Sequence, residues 1–179
     1  MKEKQFHIKE LISACKKQDN RAQMEIYNRF SDAMYASAIR IVKNPDDAED
    51  AMQEGFIKAF EKIDQFKGDE NFGGWLKKIV IRKTLNYYYY NKRIAHSDDM
   101  EKHFSPSTDE SMTFDGVSKQ SIQLQNALKK LKDKHRIILQ LFYLEGYDYE
   151  EIGDILNLSY ANCRTIMSRA KSELKKIMV

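Results

Sequence analysis

The chain has 179 residues, 42% of them hydrophobic and 32% charged, with only 7 glycines and 2 prolines. This composition favours helices over a turn-rich sheet protein, and the length suits one medium domain or two small ones. No apolar run reaches the ~18 residues that a membrane span requires, and the start MKEKQFHIKE contains no secretory signal, so we expect a soluble, cytoplasmic protein. Cys15 and Cys163 lack disulfide or metal-ligand spacing, which agrees with a reducing compartment.

The net charge of +3 is unevenly distributed along the chain. Residues 1–93 carry 18 Lys+Arg against 14 Asp+Glu, residues 94–120 carry 2 against 6, and residues 121–179 carry 10 against 7. The acidic stretch is rich in serine and threonine and interrupts the helical periodicity on both sides. We therefore predict two helical domains, 1–93 and 118–179, joined by a flexible acidic linker at 94–117. A solubilising tether without a specific role is an equally good interpretation of this linker.

Apolar residues in the first block recur at helical spacing. One stripe belongs to a helix that ends near Asn44, and Pro45 with the two following aspartates begins the next helix at its positive end. The stripes consist of Tyr27, Phe30, Met34 and Ile41, and then of Ala48, Met52, Phe56, Ala59 and Ile63. A glycine-containing loop, DQFKGDENFGG, precedes a last helix predicted from about Gly74 to Lys92. Together these helices predict a small bundle.

An acidic face lies on the second of these helices. Asp47, Asp50 and Glu54 are spaced three and four residues apart, so they share one helix face, with Gln53 beside them. Such a face, with few compensating cations, suits docking on a basic protein surface. The alternative is a solvated helix N-terminus whose acids are favoured by the helix dipole.

The segment from Phe66 to Arg93 combines cations with aromatic residues. Between Gly74 and Arg93 there are six cations and no acid. The aromatics are Phe66, Phe72, the single tryptophan Trp75, and Tyr87 to Tyr90. This combination suits single-stranded DNA, because a stacked base contributes ~1–3 kcal/mol and an aromatic loop could receive a base held out of the stack. The alternative is that Trp75 and some of the tyrosines pack in the core.

The second block contains a helix-turn-helix pattern. A short helix is predicted from Tyr149 to Leu156, and Ser159 is a good N-cap for the helix that follows. The residues predicted to be buried in that helix are Cys163, Met167, Ala170 and Leu174. Its outward polar residues suit the major groove of DNA, where Asn162 and Arg164 could bond purines. An ordinary helical hairpin with a solvated polar face is the alternative.

The sequence gives little support for catalysis or for a bound metal. Its 4 histidines are scattered, and no phosphate-binding loop, dinucleotide motif or nucleophile elbow is present. We interpret His135, beside Arg136, as a surface residue. We therefore expect no catalytic residue, no metal site and no cofactor.

These features together resemble a bacterial sigma factor of the extracytoplasmic-function (ECF) class. The first block is similar across residues 26–79, including the acidic element DAEDAMQE and the F-x-x-WL start of the last helix. The second block is similar across residues 128–176, which contain the helix-turn-helix. The resemblance covers nearly the whole chain and implies an all-α protein of two small domains, an N-terminal helix bundle and a C-terminal helix-turn-helix, joined by a flexible linker.

The resemblance also implies roles for individual residues. The implied contacts with the clamp coiled coil of core RNA polymerase are Asp47, Asp50, Gln53 and Glu54. The implied contacts that capture and melt the minus-ten element are Phe66, Lys67, Asn71, Phe72, Trp75, Lys78, Arg82 and Asn86. The implied contacts with the minus-thirty-five element are Ser159, Tyr160, Asn162, Arg164, Thr165, Ser168, Arg169 and Lys171. Core polymerase and promoter DNA are thus the implied partners, and many relatives are also inhibited by an anti-sigma factor, which makes such a protein a candidate partner.

The chain departs from the family pattern at two helices. An Asn near position 82 and several basic residues after position 87 are usual, whereas this chain has Arg82 and YYYYNKR, which leaves the role of Tyr87–Tyr90 open. A basic residue is often found where Ile166 stands, so we expect an altered set of minus-thirty-five contacts. A stand-alone helix-turn-helix regulator and a partner-sequestering adaptor are the competing functions. The acidic face and the aromatic loop favour a sigma factor, because a stand-alone regulator needs neither.

Overall fold

The computed structural model describes residues 7–68, 71–97 and 119–178. Side chains are described at all of these positions except 95–97 and 119–121. Within these ranges all regular structure is helical, which confirms the predicted all-α fold. The elements are α1 (Ile8–Lys16), α2 (Asn20–Val42), α3 (Pro45–Glu61), a 3-10 turn (Ile63–Gln65), α4 (Phe72–Ser97), α5 (Lys119–Lys130), α6 (Asp133–Tyr143), α7 (Tyr149–Leu156) and α8 (Tyr160–Met178). The chain divides between His103 and Phe104 into two compact units, here called the first and second unit.

The junction between α2 and α3 follows from three consecutive residues. Lys43 ends α2 in the left-handed conformation, with φ 65°. The side-chain oxygen of Asn44 accepts a hydrogen bond from the backbone N–H of Asp47 at 3.0 Å, and Pro45 occupies the first position of α3. Because proline has a fixed φ and no N–H to leave unsatisfied, it suits this position. The start of α3 that the sequence predicts at Pro45 is confirmed.

The core of the first unit forms where α2, α3 and α4 pack together, with α1 closing one side. A Cβ atom at Gly55 would lie 2.9 Å from the Cα of Val80, so the glycine is what lets α3 and α4 approach closely. Phe56 is 2% exposed, and its ring lies 4.8 Å from that of Tyr27. The buried cluster comprises Leu11, Ile12, Cys15, Ala22, Ile26, Met34, Met52, Phe56, Ala59, Ile63, Phe66, Phe72, Leu76 and Val80.

Helix α4 is longer at both ends than the predicted span of Gly74 to Lys92. At its start, the side-chain oxygen of Asn71 accepts a hydrogen bond from the N–H of Gly73 at 3.0 Å. At its end, the helix continues through Ser97, and so includes the first four residues of the segment 94–117 assigned to the linker. No proline or glycine follows Gly74 in this stretch, so nothing local stops the helix. The rest of the predicted linker lies outside the described residues.

In the second unit, local capping defines the helix-turn-helix formed by α7 and α8. Asp148 and Glu151 cap the start of α7 reciprocally, with bonds of 2.8 and 3.2 Å between each side chain and the other's backbone N–H. Asn157 ends α7 in the left-handed conformation. The hydroxyl of Ser159 accepts a bond from the N–H of Asn162 at 3.3 Å, which confirms Ser159 as the cap of α8.

The core of the second unit lies between α6, α7 and α8. Its fully buried side chains include Ile137, Ile138, Leu139, Leu141, Ile152 and Met167. Arg136 is also buried, at 1% exposure, and donates to Gln140 at 3.0 Å and to Asp133 at 3.4 Å. His135 is only partly exposed and contacts the carboxylate of Glu173, so it joins α6 to α8 instead of lying free on the surface. None of the described helices combines the length and apolar character needed to cross a membrane.

Candidate protein and nucleic-acid interfaces

The acidic face of α3 consists of an exposed outer part and a partly buried inner residue. Asp50, Gln53 and Glu54 are exposed, whereas Asp47 is half-buried. Burial raises the pKa of Asp47, and the neighbouring carboxylates of Asp50 and Asp46 raise this pKa further. A partner surface therefore has direct access to the carboxylates of Asp50 and Glu54, whereas Asp47 lies on the side that faces α4.

Helix α4 contacts this acidic face in two places. The hydroxyl of Tyr87 donates to Asp47 at 3.5 Å, and the ammonium of Lys83 lies 3.2 Å from the carboxylate of Glu54. The charge of the face is thus partly compensated, contrary to the expectation of few neighbouring cations. Twenty-nine residues separate Lys83 from Glu54, so the pairing arises from the packing of α3 on α4 and not from any local spacing.

The phenylalanine rings of the predicted minus-ten site are buried, which corrects this part of the prediction. Phe66 and Phe72 are each 5% exposed, and their rings meet edge to face at 5.3 Å between centroids. Trp75 is partly buried and packs against both rings, with 5.4 and 5.6 Å between ring centroids. Because Phe66 and Phe72 are buried in the core against the partly buried Trp75, these two rings do not offer an open surface to a base.

The polar residues predicted for the same site lie along α4 and its entrance. Lys67 and Asn71 are exposed, although the side chain of Asn71 is engaged in capping α4. Lys78, Arg82 and Asn86 follow Trp75 at spacings of three, four and four residues, so they form one stripe of α4 with Trp75 at its beginning. Arg82 and Asn86 are exposed, and Lys78 is half-buried. The structure therefore places two of the predicted cations, Lys78 and Arg82, on one line of α4, whereas Lys67 lies before the helix.

The four consecutive tyrosines point in different directions. Tyr87 bonds to α3, Tyr88 is half-buried beside Tyr89, and Tyr89 and Tyr90 are 41% and 56% exposed. An open cavity of about 830 Å³ lies beside them, between α3 and the second half of α4. It is lined by Glu54, Lys83, Asn86, Tyr87, Tyr89, Tyr90, Lys92 and Arg93. The acidic face of α3 and the basic end of α4 therefore border the same groove.

The outward face of α8 agrees with the sequence analysis. Exposed side chains occur at all the positions proposed to read the minus-thirty-five element: Ser159, Tyr160, Asn162, Arg164, Thr165, Ser168, Arg169 and Lys171. The guanidinium of Arg164 lies 6.0 Å from the centre of the Tyr160 ring. The hydroxyl of Thr165 donates to the carbonyl of Ala161 at 2.9 Å, and this bond holds the threonine side chain in one orientation on the helix surface.

Three residues of α8 bear on its predicted core and contact set. Ile166, where an altered minus-thirty-five contact is expected, is 8% exposed and lies on the buried side with Cys163 and Met167. Leu174, predicted to be buried, is only partly buried. The ammonium of Lys171 lies 5.4 Å from the ring centres of Phe142 and Tyr143, and the Tyr143 hydroxyl raises the lysine pKa through a hydrogen bond. Lys171 is thus held against α6, and it is less free to reach a phosphate than the sequence indicates.

The structure also shows a contact that the sequence analysis did not single out. The ammonium of Lys16, the last residue of α1, donates to the carbonyl of Phe66 at 3.2 Å. No sequence signal joins two residues fifty positions apart. The described part of the chain holds no group of three or more His, Cys, Asp or Glu side chains arranged to bind a metal ion.

Comparison with known proteins agrees with this two-part architecture. The family model for sigma-70 region 2 matches residues 26–94, and the model for sigma-70 region 4 matches residues 121–174. These matches define a sigma-70-type protein with an N-terminal region 2 and a C-terminal region 4. The ECF RNA polymerase sigma factor SigW of Bacillus subtilis is 31% identical over 180 residues, covering 94% of this chain and 95% of SigW. The chain therefore belongs to the ECF sigma factor family.

Further relatives and solved structures extend the comparison. The ECF RNA polymerase sigma factor SigM of Bacillus subtilis is 27% identical, over 86% of this chain and 93% of SigM. The sigma factor RpoE of Bartonella quintana, solved in complex with the anti-sigma factor NepR, has a TM-score of 0.66 at 24% identity, covering 87% of this chain and 95% of that one. CnrH, solved with the cytosolic domain of CnrY, has a TM-score of 0.59 at 20% identity, covering 94% of each chain. These two structures support the fold.

Proposed function

We propose that this protein binds core RNA polymerase and directs promoter-specific transcription initiation. The observation that carries the proposal is the combination, in one chain, of an acidic face on α3 and a basic stripe on α4 with a recognition helix, α8, whose outer face is exposed. A stand-alone DNA-binding regulator requires only the last of these. The polymerase supplies the chemistry, and this chain supplies recognition; we place both in the cytoplasm.

The acidic face of α3 is the proposed polymerase contact. Asp50, Gln53 and Glu54 present two carboxylates and an amide to a basic partner, while Asp47 supports them from the α4 side. Complementary charge at such an interface increases the association rate and fixes the orientation of the partners. On binding, Glu54 then has to exchange its ion pair with Lys83 for a basic residue of the polymerase.

The stripe along α4 is the proposed contact with the minus-ten element. Trp75, Lys78, Arg82 and Asn86 follow one line of the helix, and Lys67 and Asn71 lie in the loop at its beginning. The cations neutralise phosphates, and the amide of Asn86 bonds a base edge. Phe66 and Phe72 contribute by packing against Trp75 and so fixing the loop.

The exposed side of α8 is the proposed contact with the minus-thirty-five element. Residues near the N-terminus of a recognition helix reach base edges in the major groove, which assigns base reading to Asn162 and Arg164. Ser168 and Arg169, one to two turns later, suit phosphates. Lys171, also on α8, holds this helix against α6 through the ring of Phe142. An anti-sigma factor is a further proposed partner, consistent with the fold shared with the sigma factor RpoE, which was solved in complex with the anti-sigma factor NepR.

A charge-reversal experiment tests the polymerase contact. The double variant Asp50→Arg with Glu54→Arg should bind core polymerase at least about tenfold more weakly, because it presents like charges to a basic surface. The matched control is Glu25→Arg with Asp32→Arg, which reverses two acids on α2, the partly exposed Glu25 and the exposed Asp32. Binding is measured by competition with a labelled wild-type chain, and circular dichroism establishes that both variants fold.

The control pair distinguishes a specific contact from a general effect of charge. The proposal requires the α2 variant to bind as the wild type does. If both double variants weaken binding equally, the acidic face of α3 has no special role. If the wild-type chain does not bind core polymerase at low salt, the proposed function itself is refuted.

A further inference from the structure

Helix α1 reaches the start of the predicted minus-ten loop through one polar contact. Its apolar side, with Leu11, Ile12 and Cys15, is buried in the core of the first unit. Its last residue, Lys16, extends its side chain to the carbonyl of Phe66 at 3.2 Å. The match to sigma-70 region 2 begins at residue 26, so α1 lies before the matched region. The contact therefore joins an element outside that region to the loop inside it.

Phe66 is the point at which the chain leaves the core. Its N–H donates to the carbonyl of Ile63 at 3.2 Å, and its ring is held by the rings of Phe72 and Trp75. Its carbonyl belongs to the peptide plane that connects it to Lys67, and a peptide plane is rigid. Holding this carbonyl therefore fixes the direction in which the backbone continues to Lys67 and to Gly68, which has a φ of 85°.

We propose that Lys16 is a positioning residue for capture of the minus-ten strand. Its ammonium holds the Phe66 carbonyl, and this orients the exposed Lys67 next to the basic stripe of α4 that begins at Trp75. The bond is charge-assisted and therefore stronger than a neutral hydrogen bond. Lys16 acts through the backbone of the loop and is not itself assigned a contact with DNA. The inference rests on the proposed function, since it names what fixes one of its sites.

The first test uses the free protein and does not depend on DNA. Trp75 is the single tryptophan of the chain, and its ring lies 5.4 Å from the ring of Phe66. Lys16→Met removes the donor and keeps the apolar stem, so loosening of Phe66 should increase acrylamide quenching of Trp75 fluorescence. Lys16→Arg retains a charged donor and should quench as the wild type does. Lys17→Met, which removes the charge of the adjacent exposed lysine, is the matched control.

The second test measures function in the complex with core polymerase. On a promoter that the wild-type holoenzyme opens, Lys16→Met should slow open-complex formation about tenfold, the effect of losing one charge-assisted hydrogen bond at the lower end of its strength. Affinity for core polymerase should stay within twofold of the wild type, and Lys16→Arg and Lys17→Met should open the promoter normally. The opening rate is followed by fluorescence of 2-aminopurine placed in the minus-ten element.

Each other outcome overturns the inference. Normal opening and quenching by Lys16→Met would show that the bond does not fix the loop. If Lys17→Met slows opening as much as Lys16→Met does, the effect comes from the loss of any positive charge and not from this bond. If Lys16→Arg opens the promoter as slowly as Lys16→Met, the side chain does not act as a hydrogen-bond donor. A parallel loss of core binding would place Lys16 in the polymerase contact. Failure of the wild-type holoenzyme to open any promoter would instead refute the proposed function on which the inference rests.

Discussion

Gly153 occupies the closest approach within the helix-turn-helix, and its substitution by alanine is a sharp test of the account of the second unit. A Cβ atom at this position would lie 2.7 Å from the carbonyl oxygen of Leu158 and 3.7 Å from the sulfur of Cys163. The N–H of Leu158 also donates to the carbonyl of Gly153 at 2.9 Å. The glycine thus allows α7 to pack directly against the turn that leads into α8.

The magnitude follows from two opposing contributions. Alanine gains up to ~1 kcal/mol over glycine in a helix interior. Against this, the obstructing atom belongs to the backbone, so the turn itself must move, and overpacking of this kind costs ~1–3 kcal/mol and occasionally more. Because backbone has to move, we take the overpacking cost at ~3 kcal/mol and subtract the ~1 kcal/mol gained by alanine. Gly153→Ala should therefore lower the free energy of unfolding of the second unit by about 2 kcal/mol.

The assay reads the two units separately. Thermal unfolding followed by circular dichroism reports both, whereas fluorescence of the single tryptophan, Trp75, reports the first unit alone. Gly153→Ala should lower the dichroism midpoint of the second unit, leave the fluorescence midpoint unchanged, and weaken binding of the holoenzyme to minus-thirty-five DNA. The control is Gly74→Ala in α4, whose new Cβ would meet nothing nearer than the Cβ of Asn71 at 3.9 Å, and which should not destabilise the first unit. Wild-type stability and DNA affinity in Gly153→Ala would refute the packing argument.

Two further predictions concern the buried side chains. Ile166→Lys should destabilise the second unit by more than ~2 kcal/mol and weaken promoter binding, because it buries a charge; Thr165→Lys, at an exposed position, should fold normally, and tighter DNA binding by Ile166→Lys would contradict its burial. Cys15 and Cys163 are fully buried, and burial together with Asp19 raises the pKa of Cys15 to about 11. Both thiols should therefore resist Ellman's reagent at pH 8 until denaturant unfolds the protein, and rapid labelling of the native chain would contradict this.

The parts of the fold that the sequence predicts well are those with local causes. Pro45 at the start of α3 and Ser159 before α8 act on their own turns of helix, and both signals hold in the structure. The spacing of Cys163, Met167 and Ala170 likewise identifies the buried side of α8. The exposed recognition face follows from that assignment, because residues off the buried stripe face the solvent.

The remaining features depend on which helix meets which. Ile166 fits the buried stripe through its spacing from Cys163, so its burial could have been predicted from the same pattern. The pairing of Glu54 with Lys83 and the bond from Lys16 to Phe66 could not, because each joins residues distant in sequence. The same limit applies to the aromatic loop: composition suits DNA stacking and core packing equally, and only the assembled bundle shows the rings packing against one another.

The most direct test of the account is transcription reconstituted from purified components. Core polymerase is incubated with fragments of the source genome, with and without this chain, and the 5′ ends of the transcripts are mapped. The account predicts new start sites that depend on the chain and share one pair of elements near minus ten and minus thirty-five. The Asp50→Arg, Glu54→Arg variant should lose these starts. Absence of new starts, or new starts without shared elements, would contradict the central claim.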